Sequence, residues 1–334
     1  MAISTKRRPI RWTSIALFVL LPPACGRRVP SGAEVSAAAA IEAAASSVDA
    51  AASSIGSGTP CGDLDCAQYP TAREAFLQIL AGAGEPLVLG IGEVHPPAGA
   101  LVPSAAKRFT SELLPTLDGH ASDLLLEIMK PPAGCTDAVA EVRQKQEPVT
   151  SAHAEGAQNE YLAMGDAARR LGIVPDILRP TCSDMDAIER AKDDVIDLSL
   201  RTIGRLLGAQ AARMADRDDA LPPLVAGAAD RGKMVLVYGG TLHNNLSPSK
   251  DAAAWSYAPA LATHVRGRFA AIDLMVPEFM GQDALWTSLP WWPAYAAAQR
   301  AGRLQEGRAT VLHVAPKSFV LVFPGQFHAA KPSP

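Results

Sequence analysis

The segment Leu87-Val88-Leu89-Gly90-Ile91-Gly92-Glu93-Val94-His95 decides the reading of this chain, because a short apolar run breaks into a glycine-led turn that ends in histidine. Such a run, bounded by turn signals, fits a strand buried on both faces, as in a parallel sheet. The same grammar returns at Met234-Val235-Leu236-Val237-Tyr238-Gly239-Gly240-Thr241-Leu242-His243. In both places a glycine stands three positions before the histidine. A tight turn there would expose an imidazole at the carboxyl end of a strand, where open α/β sheets build their sites. These two histidines are the expected centre of the protein's chemistry.

Working outward, helical and strand-like segments alternate. Residues 71–81 read as a helix, 104–116 as a second, Leu124-Leu125-Leu126-Glu127-Ile128 as a strand, 158–171 as a helix and 173–178 as a strand. Ile196, Leu200, Ile203 and Leu207 then recur at helical spacing. Strands follow near 269–274 and 310–323, the latter a hairpin through Pro316-Lys317. The order predicts one α/β domain over 61–334, with a mostly parallel sheet and helices on both faces.

The chain before that domain reads differently. Lys6, Arg7, Arg8 and Arg11 precede the apolar run Ile15 to Leu21, which is too short to span a bilayer and is flanked as a secretory signal is. Leu21-Pro22-Pro23-Ala24-Cys25 resembles a bacterial lipobox, although its two prolines depart from the usual pattern. That resemblance implies a signal peptide over 1–24, lipidation of Cys25, and a membrane-anchored protein of the bacterial cell envelope. With Gly26 after the cysteine, outer-membrane sorting is expected, with the domain facing the periplasm or the cell surface. Residues 25–60 are rich in Ala, Ser and Gly and read as a tether. The leader holds four basic residues and no acidic one, so its removal leaves 27 basic against 34 acidic residues and a formal charge of −7. That acidity argues against a nucleic-acid partner. Cys61, Cys66, Cys135 and Cys182 would meet an oxidising compartment. Of the three possible pairings, Cys61–Cys66 with Cys135–Cys182 is favoured, because the second pair follows two strands that could be neighbours.

Residues two apart in an extended chain share a face, so Glu93 and His95 should point into the same space. Glu127 lies in an apolar strand, where an unpaired carboxylate would be strongly unfavourable. It must find a partner or lie at the strand end, near His95 if the strands are parallel neighbours. Two histidines and two carboxylates so gathered could hold a divalent transition metal through His95, Glu127 and His243. They could instead activate water directly, or line a pocket that binds a larger ligand without turnover.

Gly92-Glu93-Val94-His95, the strand ending in Glu127, Arg217-Asp218 before a strand, and Gly240-Thr241-Leu242-His243-Asn244 together resemble the superfamily that unites erythromycin esterase, TraB, Tiki and the haem-binding ChaN proteins. The resemblance covers about residues 85–275. It implies an α/β fold and a site of Glu93, His95, Glu127, Arg217 and His243. It leaves the activity open, since the branches include metal-dependent proteases, metal-independent hydrolases and haem binders. Read without it, Arg217 is a solvated charge.

The leading expectation is therefore a lipoprotein hydrolase that activates water on an ester or amide of a small molecule or peptide, directly or with a metal. The alternative is a non-catalytic haem or iron binder. Trp286, Trp291, Trp292 and Tyr295, with Trp255 and Tyr257, could then form a lid over a flat ligand, although such clusters are more often local packing. Arg179 is a weaker candidate for anion contact. A P-loop at Gly227 to Lys233 is rejected, since Met234 replaces the magnesium-binding hydroxyl and a strand follows instead of a helix.

Overall fold

Six apolar strands run parallel through the middle of the protein, and the two histidine motifs lie at the ends of adjacent ones. The computed structural model describes residues 58–61, 64–84, 86–97, 99–135, 157–191, 194–219, 233–280 and 289–325. These belong to one compact unit running from Ser53 onward. The leader, Cys25, most of the tether and Trp286 lie outside the described residues. No helix among the described residues is long and apolar enough to cross a membrane.

The elements follow in chain order as β1 (Thr59–Cys61), β2 (Leu64–Tyr69), α1 (Ala72–Ala83), β3 (Val88–Glu93), α2 (Ala105–Arg108), β4 (Ala121–Met129), α3 (Ala157–Arg170) and β5 (Val174–Leu178). After these come α4 (Cys182–Arg190), α5 (Val195–Asp219), β6 (Met234–Gly240), α6 (Ala258–His264), β7 (Phe269–Met275), α7 (Trp292–Arg300), β8 (Ala309–Ala315) and β9 (Ser318–Val322). The nine strands form one sheet in the order β1-β2-β8-β9-β7-β3-β6-β4-β5. From β9 to β5 neighbouring strands are parallel, and β1, β2 and β8 add an antiparallel edge. The fold is thus α/β with a mostly parallel sheet.

The alternation of side chains sorts the core. Leu89, Ile91, Leu236 and Tyr238 face α1 and α3 through Phe76, Ile79, Tyr161 and Met164. Val88, Val235 and Val237 face α5 and α6 through Leu206, Leu207, Ala211 and Leu261. After β3 the chain crosses to β4 on one side; after β6 it crosses to β7 on the other. The β3–β6 boundary is therefore the switch point where a doubly wound sheet opens a crevice at its carboxyl edge.

Helix α1 is delimited by local chemistry. Thr71 accepts the Glu74 N–H at 3.1 Å, and Gly84 ends the helix at φ 68°. The helix expected over 104–116 is shorter: α2 passes into a π turn (Phe109–Leu113) and a 3₁₀ turn (Leu114–Leu117). Pro115 is the reason, because it has no N–H to continue an α-helical ladder. The expected hairpin turns at Lys317, with φ 59°.

Both favoured disulfides are present, Cys61–Cys66 and Cys135–Cys182. The second ties the segment after β4 to the start of α4 and closes a sequence separation of 47 residues. Replacing Cys135 and Cys182 by serine should lower the unfolding free energy by about 2–4 kcal/mol, and the Cys61/Cys66 pair should cost less. Urea denaturation of the two double variants checks the order.

Candidate functional site

Strands β3 and β6 pair so that Glu93 lies opposite Gly240. The two Gly-x-x-His turns therefore begin side by side, joined by the Thr241 N–H donating to the Glu93 carbonyl at 3.1 Å. Glu93 is 1% exposed. Its Oε1 accepts from Tyr161 Oη at 2.8 Å and contacts His95 Nδ1 at 2.9 Å, and its Oε2 accepts from Tyr238 Oη at 2.7 Å. Burial, reinforced by the charge of Glu93, pushes both tyrosines well above the usual phenol range, so they remain donors. No sequence pattern marks either tyrosine for this role; Tyr161 is 68 positions from Glu93, and Tyr238 is 145.

Glu127, from β4, joins from the other side of β6. Its Oε2 accepts the Gly240 N–H at 2.7 Å, and its Oε1 lies 3.5 Å from His243 Nε2. This approach requires glycine at 239, where a Cβ would overlap Glu127 Oε2 and lie 3.0 Å from Glu127 Cβ. Gly240 is the floor: a Cβ there would lie 3.9 Å from both His95 Nε2 and His243 Cδ2. His243 is buried, and its Nδ1 is 2.8 Å from the Trp255 carbonyl oxygen, an acceptor that fixes the proton on Nδ1 in the neutral ring.

The charges reinforce one another. Burial alone lowers the His95 pKa, but the hydrogen bond and charge of Glu93, with the charge of Glu127, bring it above the usual imidazole value. For His243, burial is likewise outweighed by Glu127 and by the Trp255 carbonyl, and the net pKa is raised. Burial pushes Glu127 up, yet the charge and hydrogen bond of His243, the charge of His95 and the Gly240 N–H hold it below the ordinary carboxylate value.

A second layer locks the motifs together. The Asn244 amide, turned to satisfy its neighbours, donates to the Thr241 carbonyl at 2.8 Å and to Asp273 Oδ1 at 3.2 Å, and accepts the Gly92 N–H at 3.1 Å. A Cβ on Gly92 would lie 2.6 Å from Asp273 Oδ1 and from Thr241 Cα. Desolvation pushes Asp273 up to about 6, against hydrogen bonds from Thr241 and Asn244 that pull it down.

The structure gathers Glu93, His95, Glu127 and His243. Arg217 does not join them. Its Nη2 bonds Asp123 Oδ2 at 2.5 Å, four residues before Glu127 on β4. That is about 13 Å toward the amino end of the strand. Arg179 bonds Asp176 and is exposed. Among the aromatic residues, Trp291, Trp292 and Tyr295 pack on one another at 6.0–6.1 Å between ring centroids. Trp255 donates to Asp197, and Tyr257 packs edge-on to Phe269. Met275, Phe279, Met280, Trp291 and Trp292 line, with Val94, a small apolar recess.

Each imidazole has Nδ1 engaged by a fixed acceptor, the arrangement by which a neighbouring group orients a metal-binding histidine, while Nε2 of His95 lies near the Gly240 floor and Nε2 of His243 near Glu127. The donor chemistry of His95, His243 and Glu127 therefore suits a divalent cation, while among the described residues no three such side chains stand at ligand spacing.

No protein-family model and no curated protein matches the chain. A crystal structure of a Bacillus cereus structural-genomics protein aligns with 78% of this chain and 95% of that one, at 12% identity and a TM-score of 0.31.

Two pH dependences follow. His243, with a raised folded-state value, adds stability that is full below its unfolded value of 6.5 and is lost as pH rises through the folded one. Glu127, with a lowered value, adds stability that is full above 4.5 and is lost as pH falls through the folded one. The pair should contribute most between those limits, and Glu127→Gln should flatten that maximum in denaturation curves from pH 4 to 8. Asp273 behaves oppositely to a paired carboxylate: its contribution is full below 3.8 and is lost as pH rises through about 6. Asp273→Asn should therefore stabilise the protein at pH 8 by up to about 3 kcal/mol and change little below pH 4.

Proposed function

We propose that this protein is an envelope hydrolase that activates water at His95 and His243, with Glu93 and Glu127 as their charged partners, on an ester or amide. One observation carries the reading: two imidazoles from separate motifs have Nδ1 occupied, by Glu93 and by the Trp255 carbonyl, with Gly240 between the rings. A merely structural histidine has no need of a fixed tautomer aimed at a shared space beside a sheet's switch point.

The division of labour follows from the partners. His95 Nε2 takes a proton from water, and the buried Glu93 carboxylate stabilises the imidazolium that forms. Hydroxide adds to the carbonyl carbon. His243, whose protonated form Glu127 favours, donates through Nε2 to the developing oxyanion, a task for which Arg217 is too distant. As the tetrahedral species collapses, the carbonyl re-forms and returns its proton to His243, the bond to the leaving group breaks, and the proton on His95 passes to the leaving group. A divalent cation, if bound, would be held by His95, His243 and Glu127 and would supply Lewis-acid polarisation of the carbonyl. The lipid anchor at Cys25 and the envelope location belong to the same proposal.

The purified protein should turn over members of a panel of activated esters and fluorogenic peptides. His95→Gln and His243→Gln should each lower kcat by about 10²–10⁴-fold while the circular dichroism of the fold is retained. Full activity in both variants would sink the mechanism. A shifted Soret band on titration with hemin, without turnover of any panel member, would replace it by the haem-binding reading.

A further inference from the structure

One face of α5 is shaped around Trp255, the residue whose carbonyl holds His243. Asp197, Arg201, Gly204 and Gly208 recur along this helix at spacings of four, three and four, which places them on one side. Asp197 Oδ1 accepts the Trp255 indole N–H at 2.8 Å, while Asp197 Oδ2 is steadied by Arg201 Nε at 2.6 Å. One turn on, the Trp255 carbonyl lies directly over Gly204: a Cβ at 204 would overlap its oxygen and lie 2.9 Å from its carbon. A further turn on, a Cβ at Gly208 would lie 3.0 Å from Tyr257 Cβ. The loop is also tied to the motif itself, with Tyr257 N–H donating to the His243 carbonyl at 2.9 Å and Ser256 Oγ at 3.0 Å.

We propose that Asp197 and Gly204 are positioning residues for His243, setting the tautomer of its ring by fixing where the Trp255 carbonyl lies. The proposal rests on the functional reading of His243, but its logic is geometric. A neutral imidazole has one ring proton and here two competing acceptors. The Trp255 carbonyl, at 2.8 Å, lies at good hydrogen-bond distance from Nδ1; Glu127 Oε1, at 3.5 Å, lies at the long limit from Nε2. The proton therefore stays on Nδ1 and the Nε2 lone pair faces the site. A displacement of the carbonyl by several tenths of an ångström or more removes that advantage, and the proton moves to Nε2, toward the carboxylate. That tautomer presents no lone pair at Nε2, so the ring can neither take up there the second proton that it donates as the acid nor hold a cation.

The test reads the ring itself, so it is independent of whether hydrolysis is found. The full chain, ¹⁵N-labelled on histidine, is examined by long-range ¹H–¹⁵N correlation at alkaline pH, with the His243 signal assigned by its loss in His243→Gln. The native ring should be the Nδ1–H form. Gly204→Ala should convert at least half of it to the Nε2–H form. Asp197→Ala, which adds no volume and so covers the case where Gly204→Ala fails to fold, should shift it in the same direction. Asp197→Asn keeps an acceptor for the indole and should restore the native tautomer. Gly82→Ala, at a helix position where a Cβ meets nothing, should leave it unchanged. A native Nδ1–H signal in folded Asp197→Ala, or an Nε2–H ring in the unmodified protein, would overturn the proposal.

Discussion

The interaction on which the rest depends is the burial of the Glu93 carboxylate. Taking a carboxylate out of water costs several kcal/mol unless hydrogen bonds replace the lost hydration. Here three donors replace it, and each comes from a different place: the helix α3 through Tyr161, the neighbouring strand through Tyr238, and the chain two residues on through His95. Satisfying that single group requires β6 to lie beside β3, α3 to cover this face, and the chain to turn immediately after the strand. The same demand that stabilises the switch point also aims an imidazole.

Glycine is the second constraint. The site is built by close approach of backbones and carboxylates. At Gly239 and Gly92 there is no room for a Cβ, because Glu127 in one case and Asp273 with Thr241 in the other fill it. This lets Glu127 take the Gly240 N–H directly and so fill a hydrogen-bonding need of both the strand end and the carboxylate. In sequence these glycines signal only permissive turns; in the fold their function is steric.

The sheet's parallel body and the histidine pair were legible because both are short-range patterns. An apolar run of five residues followed by a glycine turn can be read without knowing what packs on it, and Glu127 stands out as a carboxylate among leucines. Tyr161, Tyr238, Trp255 and Asp273 were not legible, since their roles exist only across contacts between distant elements. Trp255 contributes a carbonyl, which no residue type announces. Arg217 shows the opposite error: a charged residue near a motif reads as functional, but its partner Asp123 lies four residues before Glu127 toward the amino end of the same strand, and that stretch separates it from the site. The antiparallel edge, with β1 and β2, lacked the long apolar runs that marked the parallel strands.

The two histidines are not equivalent, although their motifs repeat. His95 has its carboxylate partner on Nδ1, behind the ring, with Nε2 near the Gly240 floor. His243 has a neutral carbonyl behind it and its carboxylate partner, Glu127, on the Nε2 side. A carboxylate behind the ring stabilises positive charge without competing for the proton at the working nitrogen, which suits a base that must accept one from water. A carboxylate at the working nitrogen instead holds a proton there until a stronger acceptor forms. An oxyanion is such an acceptor, so in the proposed hydrolysis the asymmetry of partners, built on two near-identical turns, is what would separate the base from the acid.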